Sequence, residues 1–179
     1  MNSSYSDTGI VVRSVDSGEA DKYVSILTEQ HGLSHFVARG ARRITSKKSP
    51  HLDLLNIVKF QASRGDSPRF LDQVESIFYY PKIKTNFSKI NISFTIVEIL
   101  TSTLPAEVED KEIYLSLRSF LDAVEKSEGQ REINRLGRKF GLFILRHLGY
   151  PTPKMSESAN LTSYFETIIS KKLISPKFR

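Results

Sequence analysis

Cysteine is missing from all 179 residues of the sequence. This absence excludes disulfides, thiol catalysis and every zinc or iron–sulfur site that is built on cysteine. Histidine is scarce as well: the chain has four, and only His31 and His35 lie close to each other. Gly32 between them indicates a hairpin turn with two polar residues rather than a metal-binding helix face. We therefore predict that the protein holds neither a metal ion nor a cofactor.

Long apolar segments are missing too. No run of about 18 apolar residues occurs, which excludes a membrane-spanning helix from the sequence. Residues 1–7 lack both the basic start and the apolar run of a secretory signal. We expect a cytoplasmic protein with no membrane partner. The apolar share of 39% is enough for the core of one medium domain or two small ones.

The first half of the chain has the pattern of short strands. Five β-branched or alternating segments are bounded by turn residues, and they cover residues 9–13, 22–28, 33–38, 54–62 and 69–77. Five short strands with one longer connection after the third fit a small closed barrel such as the OB-fold. An SH3-like barrel or a small sandwich would give a similar pattern.

The second half changes to helical spacing. Apolar positions from residue 83 predict a first helix that ends at Pro105, a second that ends near Gly129, and a third that stops at the turn signals from Gly149 onward. A final short helix follows within residues 160–173. The fold class we predict is α+β multidomain. An OB-fold β-barrel covers residues 1–80, and an α-helical domain with a short C-terminal helix and a basic tail covers residues 81–179.

Positive charge is concentrated after the third strand. The net charge is +6, and five of the cations fall within residues 39–48, with no acid between Glu29 and Asp53. They are Arg39, Arg42, Arg43, Lys47 and Lys48. Cations of this kind bind a phosphate chain by releasing its condensed counterions. A mobile, solvated loop is the alternative that charge alone favours slightly.

The position of this basic run favours nucleic-acid binding. Single-strand binders combine cationic loops with aromatic rings on which bases stack. Three aromatics, Phe36, Phe60 and Phe70, lie on the strands that flank the run, although most of them are expected in the core. The sequence therefore predicts a nucleic-acid site around residues 39–48.

The third helix has a second basic surface. At about 100° per residue, one arc of this helix holds Leu142 and five cations. These are Arg131, Arg135, Arg138, Lys139 and Arg146. The solvated face of an ordinary amphipathic helix explains this arc equally well. The functional interpretation is a basic rim around an apolar spot, which suits an acidic peptide with a hydrophobic end or a second phosphate track.

Catalytic patterns do not occur in the sequence. The glycine-rich dinucleotide and phosphate loops are missing, and so is a His-Glu-x-x-His helix. The acidic cluster Asp16, Glu19 and Asp21 lies on a polar loop, where solvation is the simpler explanation. We predict that the protein is not an enzyme.

Several segments occur in an order that points to one known family. Residues 9–14 read Gly-Ile-Val-Val-Arg-Ser and are followed by Gly-Glu-Ala-Asp and Leu-Thr-Glu-Gln-His-Gly; residues 37–43 read Val-Ala-Arg-Gly-Ala-Arg-Arg. Residues 145–150 read Leu-Arg-His-Leu-Gly-Tyr, and the tail at 171–178 contains Lys-Lys-Leu-Ile-Ser-Pro-Lys-Phe. In this order they resemble the RecO family of bacterial DNA repair and recombination mediator proteins.

The resemblance implies a function and a set of partners. RecO-like proteins bind single- and double-stranded DNA, anneal complementary strands, and help load recombinase together with RecR and single-strand binding protein. The resemblance implies that Arg39, Arg42 and Arg43 contact DNA, and that the protein is associated with the nucleoid. It also implies that Arg138 holds the terminal carboxylate of the single-strand binding protein's C-terminal tail. Leu142 would form the apolar pocket of that tail site, with Arg135 and Lys139 beside it.

The sequence also departs from the family. Many members carry a four-cysteine zinc module after the Leu-Gly-Tyr segment, and residues 151–160 take its place here. The resemblance is thus to a shortened form without the zinc-binding segment. Two other functions fit the same residues: an RNA-binding OB-fold module, and an interaction scaffold whose charges serve only solubility.

Overall fold

The computed structural model describes residues 4–63, 68–152 and 161–169. The chain divides into two compact units. The first contains Met1–Tyr79 together with Pro105–Leu115, and the second contains Tyr80–Leu104 and Ser116–Arg179.

The first unit is built on five antiparallel strands. They are β1 (Ser4–Ser17), β2 (Asp21–Thr28), β3 (Gly32–Ala38), β4 (Ile57–Ser63) and β5 (Leu71–Phe78), and a 3₁₀ turn covers Ser49–His51. Their order in the sheet is β3-β2-β1-β4-β5. The two ends of this sheet meet through a parallel bridge, in which the amide of Val37 donates to the carbonyl of Arg69 at 2.8 Å. This closure gives the five-stranded OB-fold barrel that the sequence predicts.

Alternating apolar side chains fill the barrel. Because side chains of a strand alternate between its faces, one face of each strand contributes to a single core. This core consists of Val11, Val24, Ile26, Phe36, Ala38, Ala41, Leu52, Val58, Phe60, Ala62 and Leu71. The rings of Phe36 and Phe60 meet edge to face at 5.2 Å between centroids. Removing a ring of this kind from a core costs about 3–5 kcal/mol.

Two strands differ most from the sequence-based boundaries. The fourth was expected to begin at residue 54, but β4 begins at Ile57 because Leu55 has a φ of 70° and turns the chain. The buried Leu55 amide donates to the carbonyl of Val11 at 2.8 Å. The first strand was expected over residues 9–13, but β1 covers 14 residues since it pairs with both β2 and β4.

A segment from later in the chain completes the first unit. Ala106 forms a parallel bridge with Leu33, and the amide of Glu107 donates to the Leu33 carbonyl at 2.9 Å. The Glu107 carboxylate accepts from the guanidinium of Arg69, also at 2.9 Å. Residues 105–110 therefore cover part of β3 that β5 does not reach, which protects an otherwise open strand edge.

The second unit is helical. Its helices are α1 (Pro81–Thr85), α2 (Phe87–Thr103), α3 (Lys111–Lys126), α4 (Gln130–His147) and α5 (Leu161–Ile168); the first turn of α3 belongs to the first unit. The single first helix that periodicity predicts is two helices, because Asn86 is extended and its side chain caps α2 by accepting from the Lys89 amide at 3.1 Å. Glu125 caps α1 by accepting from the amides of Lys82 and Ile83.

The fold class predicted from the sequence is confirmed: a β-barrel is followed by helices. The domain limits of 1–80 and 81–179 stay a prediction. The short C-terminal helix is α5, whereas the linker at 153–160 and the basic tail at 171–178 lie outside the described residues.

Candidate nucleic-acid interface

Arg39 is the first residue of the basic loop, which we define as residues 39–48. It follows β3 directly, and its guanidinium carbon lies 3.6 Å from the centroid of the Phe70 ring. Phe70 is fixed in turn, because its amide donates to the Ser63 hydroxyl and its carbonyl accepts from the Ser63 amide, both at 3.0 Å. A cation over an accessible ring is stabilised by about 0.5–1 kcal/mol. The structure thus presents one charge and one aromatic ring at the same place.

Arg42 connects the basic loop to the turn between β1 and β2. Its Nε donates to Asp16 Oδ2 at 3.1 Å, and its Nη1 donates to the carbonyl of Gly18. The backbone follows the same course, since the Arg42 amide donates to the Ala20 carbonyl at 2.9 Å and the Gly40 amide donates to Asp21 Oδ1 at 2.8 Å. Asp16 and Asp21 therefore hold the loop, a role that the sequence did not reveal.

Lys48 connects the other end of the basic loop to β5. Its Nζ donates to the Leu71 carbonyl at 2.7 Å. Between these ends Ala41 is fully buried in the barrel core, whereas Arg43 and Lys47 are exposed. The loop is thus attached at both ends and through Ala41, which lowers the entropy that its ordering on a ligand would cost.

The anchored loop borders a cleft of about 350 Å³, called the first cleft here. Arg39 and Lys48 line it together with Phe70, Asp72 and the hydroxyls of Ser4 and Ser63. Of the three aromatics that the sequence placed near the loop, only Phe70 lines this cleft, because Phe36 and Phe60 are 1% and 2% exposed. Beside the carboxylate of Asp72, the first cleft thus combines cations, serine side chains and one ring, which are the contacts that a single strand uses.

A polar pair on the outer face of β2 and β3 was not recognised from the sequence. The rings of Tyr23 and His35 stack at 5.8 Å with 22° between their planes. His35 Nδ1 is hydrogen-bonded to the Ser25 hydroxyl at 2.8 Å. Burial lowers the pKa of His35, the carboxylate of Glu107 opposes that shift, and Arg13 adds to it. His35 is therefore held neutral at physiological pH.

His31 has a different role from the metal ligand that its spacing could suggest. Its Nδ1 lies 2.8 Å from Oδ2 of the buried Asp7, which also accepts from the Thr8 amide. The described residues contain no group of three or more His, Asp or Glu that could hold a metal ion. In the same part of the chain, none of the helices has the length and apolar content that crossing a bilayer requires.

The basic arc of α4 is mostly solvent-exposed. Its exposed members are Arg131, Arg135, Lys139 and Arg146. Arg138 and Leu142 are half-buried, while Phe140 and Ile144 on the opposite arc are buried. Arg135 lies 3.8 Å from Glu132 of the same helix and keeps 76% of its side chain exposed. On this helix, exposed cations thus lie near the half-buried Leu142, and the tail-binding role of the arc stays a prediction.

Comparison with known proteins agrees with this geometry. The family model described as Recombination protein O N terminal matches residues 1–80. A DNA repair protein RecO from Nostoc sp. is 26% identical over 179 residues, which cover 99% of this chain and 57% of that protein. Another from Rubrobacter xylanophilus is 30% identical over 146 residues, which cover 82% of this chain and 58% of that protein.

The fold and the basic loop first define a class, the OB-fold proteins with a cationic surface on the barrel. Within that class the matched N-terminal domain and the relatives are decisive. Residues 1–80 belong to the family of RecO N-terminal domains, and the chain is similar to several DNA repair proteins named RecO. It spans about half of the length of the curated relatives it matches.

Proposed function

We propose that this protein is a non-catalytic DNA repair and recombination protein that binds single- and double-stranded DNA at the basic loop and anneals complementary strands. The observation that carries the proposal is Arg39 placed over Phe70 at the rim of the first cleft. In this arrangement the guanidinium is available to a phosphate, and the part of the ring that borders the cleft is available to a base. The family membership supports the choice of DNA.

Binding at this site is electrostatic and needs no covalent step. The exposed cations Arg39 and Arg43 neutralise backbone phosphates, and the counterions that are released make the affinity fall with salt. Arg42 contributes differently, because Asp16 and the Gly18 carbonyl already hold its guanidinium. Its role is to keep the loop in position for its neighbours.

The salt dependence of binding tests this proposal. The variant Arg39→Gln/Arg43→Gln should bind a fluorescent single-stranded oligonucleotide more weakly. The slope of its log affinity against log salt concentration should decrease in magnitude by about 1.4, the value expected for the loss of two phosphate contacts on a single strand. The matched control Arg118→Gln/Lys126→Gln removes the same charge from exposed positions of α3. If both double variants lower the slope equally, the basic loop is not the DNA site.

Competition between DNA and RNA oligomers of one sequence distinguishes the nearest alternative. Basic OB-fold barrels bind either polymer, since phosphate contacts do not depend on the sugar. A preference for RNA would indicate that the barrel is an RNA-binding module rather than a DNA-binding one. Failure of the wild-type protein to bind any oligonucleotide at moderate salt would leave only an interaction scaffold.

We further propose that α4 binds the acidic C-terminal tail of single-strand binding protein. Exposed Arg135 and Lys139 beside half-buried Arg138 and Leu142 offer cations and an apolar contact to a peptide that ends in a hydrophobic residue. Arg138→Glu should abolish binding of a tail peptide in a fluorescence anisotropy titration and leave oligonucleotide affinity unchanged. Unchanged peptide affinity would contradict the assignment.

Partnership with RecR and loading of recombinase belong to the same proposal and rest on the family alone. Co-elution of the purified chain with RecR in size-exclusion chromatography tests this part. Because the chain spans about half of its relatives, separate elution would remove RecR from the proposal and leave DNA binding standing.

A further inference from the structure

A second cleft lies next to the first on the outside of the barrel. It measures about 540 Å³ and extends across β4 and β5. Lys47 and Lys59 line it from the loop and from β4, together with His51 and the side chains of Ser6, Gln61 and Gln73. None of these residues except Lys47 was singled out from the sequence.

The two clefts are separated by a β-bulge. Gln61 pairs with Gln73 and Ala62 pairs with Leu71, so Asp72 is an extra residue in β5. Residues on one side of the bulge line the first cleft, and residues on the other side line the second. A bulge of this kind bends its strand and turns neighbouring side chains in different directions.

Consecutive lysines of the basic loop serve different clefts. Lys48 lines the first cleft and Lys47 lines the second. Lys59, which is exposed on β4, adds a second cation there. Its register partner on β5 is Glu75, and directly opposed side chains of an antiparallel pair share one face. The second cleft therefore has two lysines and one carboxylate.

Apart from the apolar Phe60 and Val74, the remaining lining groups are hydrogen-bond donors and acceptors. Ser6 and Gln61 are register partners on β1 and β4, and Gln61 is followed across the sheet by Gln73. His51 accepts a hydrogen bond from the Ser76 amide at its Nδ1, at 3.1 Å, which leaves Nε2 as the nitrogen that can donate to a ligand. Amide, hydroxyl and imidazole donors of this kind bind phosphate and sugar oxygens without regard to sequence.

We propose that the second cleft binds a second DNA strand, beside the strand in the first cleft, with Lys59 and His51 as backbone contacts. This inference rests on the proposed function, and it gives annealing a structural basis: two strands held on either side of one bulge are close enough to pair. Because Lys48 in the first cleft and Lys47 in the second are neighbours in the same loop, the two sites are continuous.

The test measures the two strands separately. A fluorescently labelled oligonucleotide is first bound to the wild-type chain at saturation, and a second, non-complementary strand carrying an acceptor dye is then titrated. Energy transfer reports occupancy of both sites. Lys59→Gln should lower the affinity for the second strand about three- to ten-fold, leave the affinity for the first within about two-fold, and slow annealing of complementary strands. Unchanged second-strand affinity in this variant would overturn the proposal.

Two further variants make the result specific. Glu75→Gln removes the carboxylate opposite Lys59, so it should strengthen binding of the second strand. Lys126→Gln, a control on α3, should leave the affinity for both strands unchanged.

A second site that binds RNA in preference to DNA would overturn its assignment to DNA. Wild-type protein that binds no first strand would instead contradict the proposed function itself, so the two failures are distinguishable.

Discussion

The basic loop and the basic arc of α4 have similar charge but differ in what fixes their side chains. In the loop, Arg42 and Lys48 reach groups more than twenty residues away in sequence. On α4, Arg135 reaches Glu132, three residues earlier. A surface fixed by distant contacts presents one geometry to its ligand, whereas cations on a helix face keep their rotamer freedom. This difference favours the loop for a structured site and α4 for an adaptable peptide.

The largest effect is expected where distant contacts complete the barrel unit. A Cβ added to Gly32 would lie 1.9 Å from the carbonyl oxygen of Val108, and φ there is +65°. Gly32→Ala should therefore lower the free energy of unfolding by at least about 2 kcal/mol, measured by urea titration. Gly18→Ala is the control, because its φ of +59° is similar and no atom lies within 4 Å. It should cost only about 1 kcal/mol. Equal losses would show that residues 105–110 do not depend on close contact with β3.

A smaller effect is expected at the ring under the loop. Phe70→Ala removes the support of Arg39 and one stacking surface, so single-strand affinity should fall five-fold or more, which is about 1 kcal/mol or more. Binding of an acidic peptide to α4 should not change. Ile44→Ala is a suitable control, because Ile44 in the same loop is fully exposed. Equal affinity of the Phe70→Ala variant and the wild type would remove aromatic stacking from the site.

The same contrast explains what the sequence could predict. Helical period, strand alternation and the basic run are local patterns, and they were sufficient for the fold class. They also indicated the cations of the loop and of α4, whose binding roles stay predictions. Asp16 looked like a solvated acid because its partner Arg42 is far along the chain. Two other features were missed for the same reason. They are the contact of Glu107 with β3, which comes from beyond the predicted domain boundary at residue 80, and the bulge at Asp72. Contacts of this kind depend on register, which period alone does not specify.

Double-mutant cycles test the difference between the two surfaces directly. The pair Arg42 and Asp16 should show a coupling energy of up to about 1 kcal/mol, since several backbone contacts already place its members. The pair Arg135 and Glu132, within one helix and largely exposed, should show about 0.3 kcal/mol. Urea unfolding of the single and double alanine variants gives both numbers. A coupling on α4 as large as that in the loop would remove the distinction.

The smallest effect is expected from pH, and it concerns the barrel alone. Burial lowers the pKa of His35 below the ordinary histidine value of about 6.5 that it has in the unfolded chain. At a pH between these two values, the unfolded state binds a proton at His35 and the folded state does not. The contribution of His35 to the free energy of unfolding is therefore fully present above about pH 6.5 and is lost as the pH falls through that window. His35→Gln cannot take up this proton. When the pH is lowered from about 7.5 to about 5.5, the free energy of unfolding of this variant should therefore fall less than that of the wild type. Parallel pH profiles of the two proteins would mean that His35 takes up a proton as easily in the barrel as in the unfolded chain. That result would contradict the burial indicated by its stacking on Tyr23 and its hydrogen bond to Ser25.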